Sequence, residues 1–212
     1  MRMLKAVQGA AALVAAMAIA GCTLLSPRHD PSRFYTLAPR ERPAAPAPAG
    51  REAGPSILVG PVTFPAYLDR NEVAIRVSPS ELKYAVAERW AEPLVQNFTR
   101  VLVEDLGNAL GSDRVAGLTA NAGLVADFAI EVVVVRFEAT DDGSAQLTAR
   151  WAVRDHTRKI LRIRQSQHQR QATTASIEGG VNALSAALGD LADEMAATVR
   201  DVRAEQPNRS AP

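Results

Sequence analysis

The chain carries few groups for chemistry: one cysteine, Cys22, and three histidines, His29, His156 and His168, among 212 residues. Metal coordination needs a second His or Cys at ligand spacing, and none of the three histidines has one. No G-x-S-x-G turn places a nucleophilic serine, and no P-loop or G-x-G-x-x-G loop offers backbone amides to a phosphate. Asp141 and Asp142 form a carboxylate pair, but Gly143 follows, so they read as turn residues facing water. His168 lies in "IRQSQHQRQ" and reads as a bystander on a polar surface strand. Active sites assembled in space leave no such motif, yet these absences favour a chain that is not an enzyme.

Cys22 differs, because its surroundings are ordered. Arg2 and Lys5 make a basic start, residues 6–20 are apolar and Ala-rich, and the small residues Ala20 and Gly21 precede the thiol. This is the layout of a secretory signal, and the run is short of the roughly 20 apolar residues of a membrane span. Ile19-Ala20-Gly21-Cys22 resembles the lipobox of bacterial lipoproteins, in which the thiol receives a diacylglyceryl group, the chain is cut before the Cys and the new amine is acylated. An ordinary signal peptide with an incidental thiol is the other reading. Buried acyl chain contributes about 0.8 kcal/mol per CH₂, so one chain holds marginally, whereas the three that the resemblance implies hold in effect permanently. In enterobacterial lipoproteins an Asp after the Cys goes with retention in the inner membrane. Here the residue is Thr23, which implies the outer membrane, on its periplasmic face. With Cys22 lipidated no thiol remains for a disulfide, and the covalent lipid is the only non-protein group expected.

Removal of residues 1–21 takes away Arg2 and Lys5, leaving 22 basic residues against 23 acidic ones and a formal charge of −1. No basic excess points to a nucleic-acid partner. The organisation read from the chain is a signal peptide over 1–21, a lipidated tether over 22–33, one domain over 34–204 and a disordered tail over 205–212. Within the domain, "PRERPAAPAPAGREAGP" at 39–55 cannot pack a core and reads as a mobile loop of polyproline character. At about 3.1 Å per residue it spans about 50 Å. An interdomain linker is the alternative, but too few residues precede it to form a domain.

Residues 34–37, 56–62, 73–77 and 82–86 read as strands, with a small one at 115–118. Residues 90–110 read as a helix with Leu94, Phe98, Val101, Leu102, Leu106 and Ala109 on one stripe and Gly111 at its stop. In "DFAIEVVVVRFEA", 127–139, the first residues alternate and 132–135 are apolar throughout, which predicts a central strand covered on both faces for part of its length. Residues 145–154 alternate cleanly, and 160–173 form a polar strand. A long helix over 177–202 buries Ile177, Val181, Leu184, Leu188, Leu191 and Met195. The predicted fold class is α/β: a mixed, largely antiparallel sheet packed with two long amphipathic helices, an α/β sandwich. Arg150 and Arg154 on one strand with Arg162, Arg164 and Arg170 on the next suggest a basic, Gln-rich band. It reads as a subunit or partner interface, or as an open sheet face in water.

The stretch 64–106 carries Tyr67-Leu68-Asp69-Arg70, then residues 73–76, then Trp90-Ala91-Glu92-Pro93-Leu94 at the head of a helix. Together with Cys22 followed closely by Phe34-Tyr35-Thr36-Leu37, it resembles the ABC-type transport auxiliary lipoprotein family (PqiC/YmbA type). Asp69 and Arg70 point apart if extended, so Asp69 is expected to reach Arg76 or Arg89. Trp90 reads as a core anchor, and Glu92 suits the helix dipole. Tyr67, Leu68, Asp69 and Arg70 either fix the strand-to-helix crossing or contact a partner protein. The resemblance implies an accessory role in mammalian-cell-entry (MCE) type lipid transport, where an inner-membrane ABC transporter and a periplasm-spanning MCE-domain protein move lipid between the two membranes. The lipoprotein would be the outer-membrane component and dock the end of the MCE assembly. Those assemblies are rings, which suggests a matching homo-oligomeric ring of this chain. The rivals are a stand-alone periplasmic lipid- or ligand-binding lipoprotein, which needs an apolar pocket, and a lipid-anchored hydrolase, which needs a nucleophile and base.

The anchor is directly testable. Cys22→Ala is expected to abolish incorporation of labelled palmitate and to leave a full-length precursor or a soluble protein. Palmitate entering the variant would remove the assignment.

Overall fold

The computed structural model describes residues 30–41, 54–120 and 125–205, and the compact unit begins at Ser32. Cys22 and the residues before it lie outside the described residues, as do 42–53 of the Pro-rich stretch and 206–212 of the tail. The strands are β1 (Arg33–Tyr35), β2 (Ile57–Thr63), β3 (Glu72–Ser78), β4 (Glu81–Trp90), β5 (Val115–Gly117), β6 (Phe128–Thr140), β7 (Ala145–Asp155) and β8 (Ile160–Arg170). The helices are α1 (Leu94–Leu110) and α2 (Ile177–Glu205), with single 3₁₀ turns at Ala66–Leu68 and Leu118–Ala120. One mixed eight-stranded sheet packs against the two helices, as the fold class predicts.

The strand directions differ from the largely antiparallel expectation. β6 pairs parallel with both β2 and β3, β2 with β5, and β1 with β4, while only β3–β4, β6–β7 and β7–β8 are antiparallel. Parallel pairings are therefore the more numerous, although the long ladders are the antiparallel ones. The cause is β6. On one edge it pairs with β7 along its length, and on the other it is shared by two strands running the same way. Thr63 of β2 stands beside Val133, and Ile75 of β3 beside Ala139. Six residues of β6 are thus matched by twelve of the β2–β3 segment, so the chain must leave the ladder after β2 and return. Sequence alternation reports which face a residue takes, not which distant strand it joins or in which direction.

The excursion is locked at both ends. Phe64, just past β2, meets Phe98 of α1 and Phe137 of β6 edge-on, with centroids 5.2 and 6.2 Å away, and Phe98 and Phe137 are themselves 5.3 Å apart. Near-perpendicular ring pairs of this kind contribute beyond their burial. On return, Arg76 of β3 clasps Glu138 of β6 by a fork: Nη2 donates to both carboxylate oxygens at 2.7 and 2.8 Å, and Nε donates at 3.2 Å. The Glu138 side chain is 1% exposed, so this pair works in a dry setting. Arg76 therefore belongs to Glu138, not to Asp69 as expected from sequence.

Both helices cover the same face of the sheet. α1 buries Leu94, Phe98, Val101, Leu102 and Leu106, and ends where Gly111 takes φ 61°, a left-handed conformation suited to glycine. It starts four residues later than expected: Trp90 is the last residue of β4, with its N–H donated to the Asn71 carbonyl, and Pro93 precedes the first turn. Trp90 is still a buried anchor, as its size required. After β1 the chain runs between the helices on side-chain hydrogen bonds: Asn97 and Asp105 of α1 accept from Leu37 N and Arg40 N, and Ser185 of α2 accepts from Ala38 N. Arg40 then lies over α2, where Gly189 leaves room for the guanidinium, and reaches Asp190 at 2.7 Å and Asp193 at 2.5 Å.

The lock yields a stability prediction. Removing one partner of a buried ion pair strands the other, at a cost of about 3–5 kcal/mol. Glu138→Ala and Arg76→Ala are each expected to lose about that much in urea unfolding. The double change Glu138→Leu with Arg76→Met, apolar on both sides, should lose clearly less than either single change. Equal losses in all three would show that the pair does not hold the junction.

Candidate functional site

Tyr67 to Arg70 sit at the fork of the sheet, between the Phe64 cluster and the Arg76–Glu138 clasp. Ala66–Leu68 makes one 3₁₀ turn after Pro65, whose extended backbone (φ −65°, ψ 146°) sets the entry. Leu68 is buried, Tyr67 is half-buried, and Asp69 and Arg70 are exposed. The Tyr67 hydroxyl donates to the Val135 carbonyl at 3.3 Å, on the stretch of β6 that neither β2 nor β3 covers. Burial pushes the Tyr67 phenol above its ordinary value and Glu138 adds to the push, while Arg76 and Arg136 offset part of it. The phenol thus stays neutral and keeps its donor. Tyr84 of β4 donates to the Tyr67 carbonyl at 3.1 Å, and the Arg70 guanidinium stacks 4.6 Å above the Tyr84 ring. Tyr67 and Leu68 thereby face inward, and Asp69 and Arg70 are left for solvent or a partner.

The arginines predicted to form one basic band separate onto two faces. Residues directly opposite in an antiparallel ladder share a face. Arg150 stands opposite Gln165, whereas Arg164 stands opposite Trp151 and Arg162 opposite Val153, both buried under the helices. Arg150 and Arg154 therefore belong to the open face, where Arg150 donates to Gln165 at 3.1 Å and Arg154 pairs with Glu131 at 2.9 Å. Arg162, Arg164 and Arg170 lie on the helix side. Arg162 reaches Glu205, and Arg170 binds Asp190 at 2.5 Å. Burial acts to raise the Asp190 carboxyl, but Arg170 and Arg40 outweigh it and hold it below the ordinary carboxylate range. His168 joins this row, 3.1 Å from Glu194. The band failed because the ladder register, which no single strand encodes, puts odd and even positions of β8 on sides opposite to those assumed.

The open face of the sheet carries what sequence reasoning missed. Val133 is 52% exposed and Ile163 69%, and Val135 is also exposed, although 132–135 suggested a strand covered on both sides. Ile163 stands opposite Ala152, which stands opposite Glu131, next to Val133 along β6. β8 also leaves its outer edge without a strand partner among the described residues. The four-valine run was the available signal, since water has no use for Val133 and Val135.

A second feature lies at the other side of the sheet. A groove of about 760 Å³ runs between the end of β2, α1 and the Leu118–Ala120 turn. Val62, Val95, Val103 and Leu118 make it largely apolar, and Arg100 stands at its wall, bonded to Glu92 at 3.0 Å. Asp142, by contrast, serves its turn: it accepts from Ser144 and Thr140, which lower its carboxyl to about 2. Among the described residues no three His, Cys, Asp or Glu side chains are gathered to hold a metal ion, and no helix is long and apolar enough to cross a membrane.

Comparison with known proteins matches these features to a family. No curated protein matches the sequence. Crystal structures that share the fold include that of an uncharacterized protein, 20% identical, covering 79% of this chain and 98% of its own with a TM-score of 0.64, and that of a DUF330 protein from Xanthomonas campestris, 17% identical, covering 82% and 98% with a TM-score of 0.66. The family model described as the ABC-type transport auxiliary lipoprotein component matches residues 35–196, from β1 almost to the end of α2. The chain belongs to the ABC-type transport auxiliary lipoprotein family.

Proposed function

We propose that this protein is a non-catalytic accessory component of an MCE-type lipid transport system, held by lipid on Cys22 at the periplasmic face of the outer membrane. It would receive there the end of a periplasm-spanning MCE-domain protein, fed by an inner-membrane ABC transporter. Membership of the transport auxiliary family carries the reading. The open sheet face supports it, because exposed Val133, Val135 and Ile163 next to Arg150 and the Arg154–Glu131 pair combine an apolar centre with a polar rim, the composition of a protein interface. Asp69 and Arg70, exposed at the fork, add a contact on which the partner can be selected, while Tyr67 and Leu68 support them from below.

A homo-oligomeric ring matching the MCE assembly remains part of the proposal, with its arginines now assigned by face: Arg150 and Arg154 to the open side, Arg162 and Arg164 to the helix side beside the β8 edge. The groove favours a second reading, a lipoprotein that binds a lipid or another small apolar ligand by itself, since its volume lies within the range of ligand pockets.

Co-purification of the native protein in mild detergent, with partners identified by mass spectrometry, tests the proposal. The wild type is expected to bring down an MCE-domain protein. Asp69→Ala and Arg70→Ala should weaken capture while leaving the melting temperature nearly unchanged, since an exposed stacked arginine contributes only about 0.5–1 kcal/mol. Capture of no transport component, with a bound lipid in its place, would favour the second reading. Arg150→Glu and Arg164→Glu, made separately, should differ in sedimentation if a ring forms, because they lie on opposite faces, and a chain monomeric throughout would dispose of the ring.

A further inference from the structure

We infer that the β1 end of the domain is a membrane-contacting surface, with Phe34 dipping into the lipid headgroup layer beside the anchor. The inference rests on the lipid at Cys22 proposed above. Phe34 is 65% exposed, and parallel pairing places it beside Arg89 of β4. Val86, three residues earlier on the same strand, is 78% exposed. It lies where the β4 ladder is interrupted, between Ala85 paired to β3 and Glu88 paired to β1. Tyr35 and Trp90, the next pair along, turn to the core side. Two large apolar side chains therefore stand in water at one end of the sheet, flanked by arginines.

An isolated exposed phenylalanine needs no explanation on a free domain. Its place in the chain changes that. Ten residues separate Cys22 from Arg33. A flexible chain of ten residues has a root-mean-square reach of about 17 Å, from about 5.5 Å times the square root of the residue number. That is about half the width of a domain of this size. β1 is the first strand after Cys22, so an anchor there would hold it within reach of the bilayer and raise the effective concentration of headgroups around Phe34 without any further contact.

Arg33 is the exposed cation at this end. Arg33 has its side chain 64% exposed and lies 5.8 Å from the Tyr35 ring centre, and Arg89 stands next to Phe34. Long basic side chains lay their apolar stems along a membrane and send the charge to the phosphates. The acids near this end include Glu88, opposite Arg33, Glu72, opposite Arg89, Asp30 just before β1, and Glu178, 4.0 Å from Arg33 at the start of α2. That long contact between two exposed groups is easily exchanged for a phosphate. With β1 against the bilayer, the β7–β8 turn belongs to the opposite edge of the sheet, four strands from β1 and beyond.

The test uses the full chain, purified in its lipidated form and reconstituted into phosphatidylethanolamine/phosphatidylglycerol vesicles. Because the Cys22 thiol is consumed by lipid, single introduced cysteines at Phe34→Cys, Val86→Cys and Lys159→Cys can each carry an environment-sensitive dye. Dyes at 34 and 86 are expected to shift to the blue and to be quenched by brominated phospholipids, and the dye at 159, in the β7–β8 turn, to remain in water. Protein that floats with the vesicles while 34 and 86 behave as 159 does would overturn the orientation alone. Protein that fails to float would overturn the anchor, and the orientation with it. Two sites at the β1 end guard against a variant that does not fold.

Discussion

One edge of β6 serves two parallel strands, and most of the architecture follows from that sharing. β2 can pair only with the first half of β6 and β3 only with its end, so twelve residues must occupy the place of six. Left open, the interval would expose backbone groups of β6 to whatever chain came near. Tyr67 meets the Val135 carbonyl there, the three phenylalanines close one side and Arg76 with Glu138 the other. An apolar pair could have held the two strands with less desolvation. A forked carboxylate–guanidinium contact fixes their relative position more narrowly, which is what a strand rejoining a ladder after a detour requires.

The helices complete one side only. α1 and α2 pack on each other and on the face that carries Val132, Val134 and Trp151, and the linking segment with Arg40 is wedged between them by Asn97, Asp105 and Ser185. Nothing among the described residues covers the other face beyond the fork. It keeps Ile163 and Val133 in water, together with a row of Arg and Gln side chains. A sheet of this kind is stable because half of it is dry, and the wet half is free to receive another protein. That division leaves stability to the helix side and is the basis on which recognition is proposed for the open side.

Much of this could be read from residue order. The 3.6 and 2.0 periodicities placed both helices and all the strands to within a few residues, because burial on one face imposes those spacings directly. What escaped was non-local. Trp90 looked like the head of a helix, but the Asn71 carbonyl and the Tyr35 strand claim it for β4. Asp69 had two arginines in plausible reach, and neither choice could reveal that Glu138, 62 positions beyond Arg76, would take it. The five arginines of β7 and β8 were joined into one band because their ladder register was unknown. Tyr67 to Arg70 were singled out by resemblance before any geometry, and the fold splits them into an inner pair and an outer pair. The exposure of Val133 and Val135 was hidden by the very run that made β6 easy to find, since a valine-rich strand looks the same whether its second face meets a layer of its own chain or a partner.

The central claim is that the open face of the sheet receives the transport partner. A photo-crosslinking amino acid placed at Ile163, with a second placed at Ala197, an exposed position on α2, tests it most directly in cells making the whole transport system. The account predicts a crosslink from 163 to an MCE-domain protein and none from 197. Crosslinks to that protein from 197 alone, or none to any transport component from 163, would contradict it.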